Sequence, residues 1–190
     1  MEGMTMKHLL KTALCLLLCA LLSLPALAEE GEEPEERTCG DYTYALLKDG
    51  GARITDYDGE DAELTVPAEL DGHAVREIGE GAFRFCDMTS IMLPDGLTSI
   101  GDSAFNWCGS LTNITLPDGL TSIGDRAFYS CDSLTSVTLP DSLTSISEGA
   151  FEYCPDDLTL TVPRDSYACQ YAIDNGLTYT YPDANDWLYA

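Results

Sequence analysis

The sequence predicts an α/β repeat solenoid, a short right-handed stack of coils closed by an N-terminal hairpin cap and a C-terminal helix-strand cap. Three observations predict it. The phrase LTSIGDSAFNWC at 97–108 returns as LTSIGDRAFYSC at 120–131 and LTSISEGAFEYC at 143–154, with a fainter copy, VREIGEGAFRFC, at 75–86. Pro94, Pro117, Pro140 and Pro163 stand 23 residues apart, and Pro67 precedes them by 27. Phe83, Phe105, Phe128 and Phe151 step by 22, 23 and 23 residues, in register with Cys86, Cys108, Cys131 and Cys154.

A fixed period of about 20–29 residues is the signature of leucine-rich solenoids, whereas propeller blades and helical-pair repeats need longer periods. The chain does not begin with that domain. Residues 1–28 carry Lys7 and Lys11, then an apolar run from Leu9 to Leu27 broken by Ser23 and Pro25. Ala26 and Ala28 sit at the −3 and −1 positions of a cut before Glu29. This predicts a secretory signal peptide, with an uncleaved membrane anchor as the alternative. Leu16, Leu17 and Leu18 are too bulky to make Cys19 a lipoprotein site. EEGEEPEE (29–36) has no apolar residue to bury, so residues 29–38 read as a disordered acidic tail. YTYALLKDGGARITDYDG (42–59) then reads as strand, Asp-Gly-Gly turn and strand, the N-terminal cap of a domain spanning 40–181.

Within one unit, LTNITLP (111–117) alternates towards its end, with Ile114 and Leu116 on one face and Asn113 and Thr115 on the other, which suits a short strand. PDGL turns the chain, and TSIG adds a second extended piece with Ile123 inward. Asp125 follows as a helix cap. RAFYSC (126–131) puts Ala127, Phe128 and Cys131 on one face at helical spacing. Each coil therefore points Leu, Ile, Ala, Phe and Cys inward and cannot bury that face alone; the coils above and below do so. Four such coils at about 4.8 Å per layer give a stack roughly 20 Å tall. RDSYACQYAIDNG (164–176) reads as a helix stopped by Gly176, LTYTYP (177–182) as a final strand, and residues 182–190 as a C-terminal tail.

The composite Leu-x-x-Ile-x-Leu-Pro-x-x-Leu-x-x-Ile-Gly-x-x-Ala-Phe-x-x-Cys resembles the BspA-type, or treponemal, leucine-rich repeat over about residues 40–181. The sequence departs from that pattern twice: a residue is missing between Cys86 and Met88, and LDGHAV (70–75) carries five extra. The resemblance implies a bacterial surface protein, and some members of the family are adhesins that contact host matrix proteins or other bacteria. Long arrays and wall anchors, common in adhesins, are not found in this sequence.

Charge and chemistry narrow the function. Removing residues 1–28 takes away Glu2, Lys7 and Lys11, leaving 32 acids against 7 bases and a net charge of −25. Such a surface repels nucleic acid and anionic membrane. It also keeps an exported solenoid soluble and monomeric. His73 is the one histidine after the signal, so a Ser-His or Cys-His pair would have to use it, and it lies in the LDGHAV turn. No nucleophile-elbow, P-loop, HExxH or dinucleotide-binding motif occurs, and the expectation is a non-catalytic chain without cofactor. DYDGED (56–61) is acid-dense, but its Gly stands fourth where a calcium loop needs it sixth, so it reads as a polar turn. Asp95, Asp118 and Asp141 stack in successive turns, where solvation answers their repulsion. The four ladder cysteines recur once per coil in one inward slot, as buried free thiols; no CxxC pair suggests zinc. Cys39 and Cys169 flank opposite caps and are poor disulfide partners.

The remaining reading is a secreted or envelope binding module for a protein or glycan, or a structural envelope protein without a defined ligand. Phe85, Trp107, Ser130 and Tyr153 precede the ladder cysteines, and Tyr129 stands beside Ser130. Phe85, Trp107, Tyr129 and Tyr153 are therefore the candidate binding row, at positions that face outward or lie on the rim. Two alternatives compete with it. The rings can seal seams between coils, or the polar ladder Asn113, Thr115, Ser136 and Thr138 can be the contact face.

Overall fold

The computed structural model describes residues 35–183. The signal segment, most of the acidic tail and residues 184–190 lie outside the described residues. Strands β1 (Glu36–Cys39), β2 (Tyr42–Leu46) and β3 (Ala52–Tyr57) form an antiparallel meander, with Gly50 at φ 86° in the β2–β3 turn. The expected tail therefore ends early: Glu36, Arg37 and Thr38 belong to β1, because Arg37 and Thr38 pair with Tyr44 and Thr43.

After the meander the pairing turns parallel. In chain order come β4 (Glu63–Thr65), the hairpin of β5 (Glu69–Leu70) and β6 (His73–Ile78), then β7 (Ser90–Met92) and β8 (Ser99–Ile100). They are followed by β9 (Asn113–Thr115), β10 (Ser122–Ile123), β11 (Ser136–Thr138), β12 (Ser145–Ile146) and β13 (Thr159–Thr161). Helix α1 (Tyr167–Asp174) and β14 (Thr178–Thr180) close the chain. The extra residues of LDGHAV form the tight β5–β6 turn, with Asp71 and Gly72 both at positive φ, 49° and 82°.

Each coil has three sides. On the first, β4–β7–β9 and β11–β13–β14 form two parallel ladders, with β9 beside β11. This side has six layers, two more than the repeat phrase announces, because the caps supply β4 and β14. On the second side, β3–β6–β8–β10–β12 run parallel, with a register shift between β3 and β6 at Ala52/Arg53, and Ile78, Ile100, Ile123 and Ile146 stack inward. Thr98, Thr121 and Thr144 lead into this side. Thr121 donates both its N–H and its hydroxyl, each at 2.9 Å, to the Thr98 carbonyl, and Thr144 does the same to Thr121. That double donation gives the Thr of the repeated LTSI phrase its task.

The third side differs from the expected helical turn. RAFYSC and its copies form pairs of tight turns instead. Cys108 N–H bonds the Phe105 carbonyl at 3.2 Å, closing a turn whose third residue, Trp107, lies at φ 61°. Phe85, Ser130 and Tyr153 hold the same place at φ 64°, 54° and 57°. Alternate N–H groups are freed from the coil and bond the next one: Phe83, Phe105 and Phe128 to Ala104, Ala127 and Ala150, each at 2.8 Å. A helix would have kept those donors to itself. At the entry to this side the chain comes close to its neighbour: a Cβ on Gly101 would lie 2.9 Å from the Gly79 carbonyl carbon, and one on Gly124 2.6 Å from Gly101.

The core is a set of columns. Phe83, Phe105, Phe128 and Phe151 stack with ring centroids 5.1–5.3 Å apart and planes within 8°. Tyr57 closes the column at one end, at 5.4 Å from Phe83, and Tyr171 of α1 closes it at the other, at 6.3 Å from Phe151. Both caps use tyrosine for the same reason: the ring covers the last phenylalanine while the hydroxyl finds Asp61 or the Glu148 carbonyl. Ser166 caps α1 by accepting from the Cys169 N–H, and Gly176 ends the segment at φ 65°.

Candidate functional site

The outward residues of the third side are fixed by its turns. In Ala-Phe-x-x-Cys the Ala and Phe point into the stack, and the residue before Cys takes the left-handed conformation with its side chain outward. Phe85, Trp107 and Tyr153 are 61%, 50% and 71% exposed. The coil between them has Ser130, which is buried, and Tyr129 takes over its place in the row while remaining half-buried. Tyr129 lies 6.3 Å from Trp107 and 4.9 Å from Tyr153, with ring planes tilted by 50° and 55°. Arg84 covers Phe85 at 4.6 Å and Arg126 lies 5.8 Å from Tyr129. The four predicted residues thus fall on one side of the stack.

Left-handed backbone costs a non-glycine residue about 1 kcal/mol, and Gly or Asn bears it most easily. At Phe85, Trp107 and Tyr153 the chain keeps large rings there instead. None of the three belongs to the buried core, and their contacts are with Tyr129 and Arg84 at the surface.

Both ends of the row open into clefts that sequence reasoning missed. One, of about 540 Å³, is bounded by Phe85, Arg84 and Asp87 on one wall and by Asp58, Glu60 and Asp61 on the other. The second, of about 300 Å³, lies between Glu152, Tyr153 and Asp156 and the Gly176–Thr178 segment. Asp58, Glu60 and Asp61 of the first cleft belong to DYDGED, which has no counterpart in the other coils, and Glu152 of the second fills a variable position of the repeat, so no periodicity marks either cleft. The competing sheet side carries a shallow depression of about 290 Å³ among Thr65, Met92, Asn113 and Thr115, with Met92 54% exposed. Asn113, Thr115, Ser136 and Thr138 face solvent there.

The thiol ladder lies behind the row. Cys108, Cys131 and Cys154 donate their S–H to the carbonyls of Phe83, Phe105 and Phe128, one coil earlier, at 3.0, 3.2 and 3.1 Å. Only the two middle thiols are fully buried; Cys86 and Cys154, which close the ladder, are partly exposed, so the expectation of four buried thiols holds for the inner pair alone. All six described cysteines are free. Burial pushes the Cys108 thiol up to about 12 and those of Cys86 and Cys154 to about 11, and it raises Cys131 likewise. These are protonated packing groups rather than nucleophiles. His73 binds the Gly50 carbonyl through Nδ1 at 2.9 Å, which ties the β5–β6 turn to the meander. DYDGED is a turn that delivers Tyr57 and its partner Asp61 to the end of the phenylalanine column. Among the described residues no group of three or more His, Cys, Asp or Glu is placed to hold a metal ion. Among the same residues no helix is long and apolar enough to cross a membrane.

Comparison with known proteins agrees with this geometry. The family described as the BspA type leucine rich repeat region matches residues 73–175 in six copies. No curated protein matches the chain. Among solved structures, a leucine-rich repeat protein from Bacteroides capillosus is 31% identical over 67% of this chain and 98% of its own, with a TM-score of 0.62. The T. pallidum leucine rich repeat protein is 31% identical over 68% of this chain and 72% of its own, with a TM-score of 0.57. A leucine rich cell surface protein from Faecalibacterium prausnitzii is 31% identical over 80% of this chain and 44% of its own, with a TM-score of 0.59. With its 23-residue period, its Phe and Cys columns and six matched copies over more than half its length, the chain belongs to the BspA-type leucine-rich repeat family.

Proposed function

We propose that the chain is a secreted or cell-envelope binding module of a bacterium that contacts a protein or glycan through the row of Phe85, Trp107, Tyr129 and Tyr153. One observation carries the reading: three large rings, half or more exposed, are kept at a backbone position that penalises them and outside the core. The signal-like segment at 1–28 supports export, and the similar Faecalibacterium protein is described as a cell surface protein. The module works without catalysis, since among the described residues the ladder thiols hold their protons and His73 is tied to the Gly50 carbonyl, and its acidic charge keeps it a monomer. Affinity capture from bacterial envelope extract and from host matrix tests it, using the mature chain beside Trp107→Asn, Tyr153→Asn, Thr115→Arg and Thr138→Arg. A partner retained by the parent should be lost by the first two variants and kept by the last two. The opposite pattern moves the site to the sheet. No retained partner at all favours the structural role in the envelope.

A further inference from the structure

We infer that the partner is a polypeptide segment in extended conformation, with two basic side chains flanking an apolar stretch, laid along the aromatic row from one end cleft to the other. The inference rests on the binding role of the row and adds the chemistry of its occupant. Two features of the site decide that chemistry. The first is ring orientation. A sugar chain stacks best on rings that share a flat face, but Trp107, Tyr129 and Tyr153 are tilted by 50° and 55° to one another. Tilted rings 4.9–6.3 Å apart touch one another and present a ridged apolar surface, against whose outer flanks an aliphatic side chain can lie.

The second is charge at the ends. The cleft beside Phe85 is lined by Asp58, Glu60, Asp61 and Asp87 against the single base Arg84, whose guanidinium is already laid over the Phe85 ring. The cleft beside Tyr153 is lined by Glu152 and Asp156, with no base. A carboxylate-lined cleft with an aromatic wall suits an ammonium or guanidinium group, which gains both ion pairing and the ring face. The net charge of −24 attracts such a partner from a distance. Length follows from the stack. Phe85 and Tyr153 are three coils apart, about 14 Å at one layer per coil, which an extended chain crosses in about four residues. Side chains on one face of an extended chain recur every second residue, so the two basic residues should be separated by three others.

The test uses the mature chain and three fluorescein-labelled octapeptides. The first has two lysines separated by serine, leucine and serine, so that both lysines and the leucine share one face of the extended chain. The second has the same composition with its lysines adjacent, and the third has glutamates in place of the lysines. Fluorescence anisotropy at low salt should show the spaced peptide binding at least tenfold more tightly than the adjacent one, and the glutamate peptide not binding. Trp107→Asn and Asp61→Asn should each weaken the spaced peptide several-fold, and added salt should narrow the difference between peptides. Equal binding of the spaced and adjacent peptides would mean general charge attraction and overturn the inference. So would a spaced peptide indifferent to Trp107→Asn. Binding of N-acetylchitotetraose that Trp107→Asn abolishes, without spaced-peptide binding, would overturn the peptide while leaving the row as the binding site. A captured partner indifferent to Trp107→Asn would remove the row itself.

Discussion

At the scale of single residues, one side chain often serves two layers. Cys131 fills its slot and also satisfies the Phe105 carbonyl of the coil before it. Cys131→Ala removes that donor and leaves a small void, and should destabilise the chain by about 1–2 kcal/mol in urea unfolding. Cys131→Ser keeps a donor but changes the fit, and should fall between the two. The raised thiols also set the response to alkali. They hold their protons in the folded chain to about 11–12, whereas unfolded thiols titrate near about 8.5. The stability they contribute is complete below the unfolded value and is lost as pH rises through the folded ones. Urea midpoints should therefore hold steady from pH 6 to 8 and fall between pH 9 and 11, less steeply in Cys131→Ala. The slot was legible in the sequence because period and residue type recur together. The S–H bond was not, because nothing in Ala-Phe-x-x-Cys says which carbonyl lies below the sulfur.

At the scale of elements, the phenylalanine column and its two tyrosine lids hold coils to caps. Phe128→Ala opens a void in the middle of four stacked rings and should cost about 3–5 kcal/mol. Tyr171→Phe removes only the hydroxyl bond to Glu148 and should cost about 1 kcal/mol, whereas Tyr171→Ala uncovers Phe151 and should cost several times more. Thermal or urea unfolding of the three variants ranks them. The columns, both strands of the unit and helix α1 could be read from alternation, turn residues and capping. The third side could not. Spacing of i, i+1 and i+4 fits one helical turn, but it fits two successive tight turns equally well. Glycine, the usual mark of left-handed backbone, is replaced at the decisive position by Phe85, Trp107, Ser130 and Tyr153. Layer β4 escaped notice, since AELTVP shares the strand of the repeat but lacks its Ala-Phe-x-x-Cys phrase, whereas LTYTYP reads as the final strand that β14 forms.

At the scale of the whole molecule, layers that match their neighbours can be removed as units. Deleting residues 109–131 joins Cys108 to Asp132 in register and should leave a cooperative, shorter stack, while deleting 109–119 breaks every column and should not fold. Circular dichroism and a single unfolding transition distinguish the two. In such a stack the inward columns carry the burial, and the proposed contact role requires that the outer row contribute little to stability. The expected seam-sealing role and the contact role of the rings then differ in one number, the melting temperature of the Trp107→Asn, Tyr153→Asn double variant. Losing the contacts with Tyr129 costs about 1 kcal/mol per ring, and relieving the left-handed backbone returns about as much. At about 2–4 °C per kcal/mol for a domain of this size, the double variant should melt within about 3 °C of the parent. A fall of about 6 °C or more would contradict the account and make the row part of the packing.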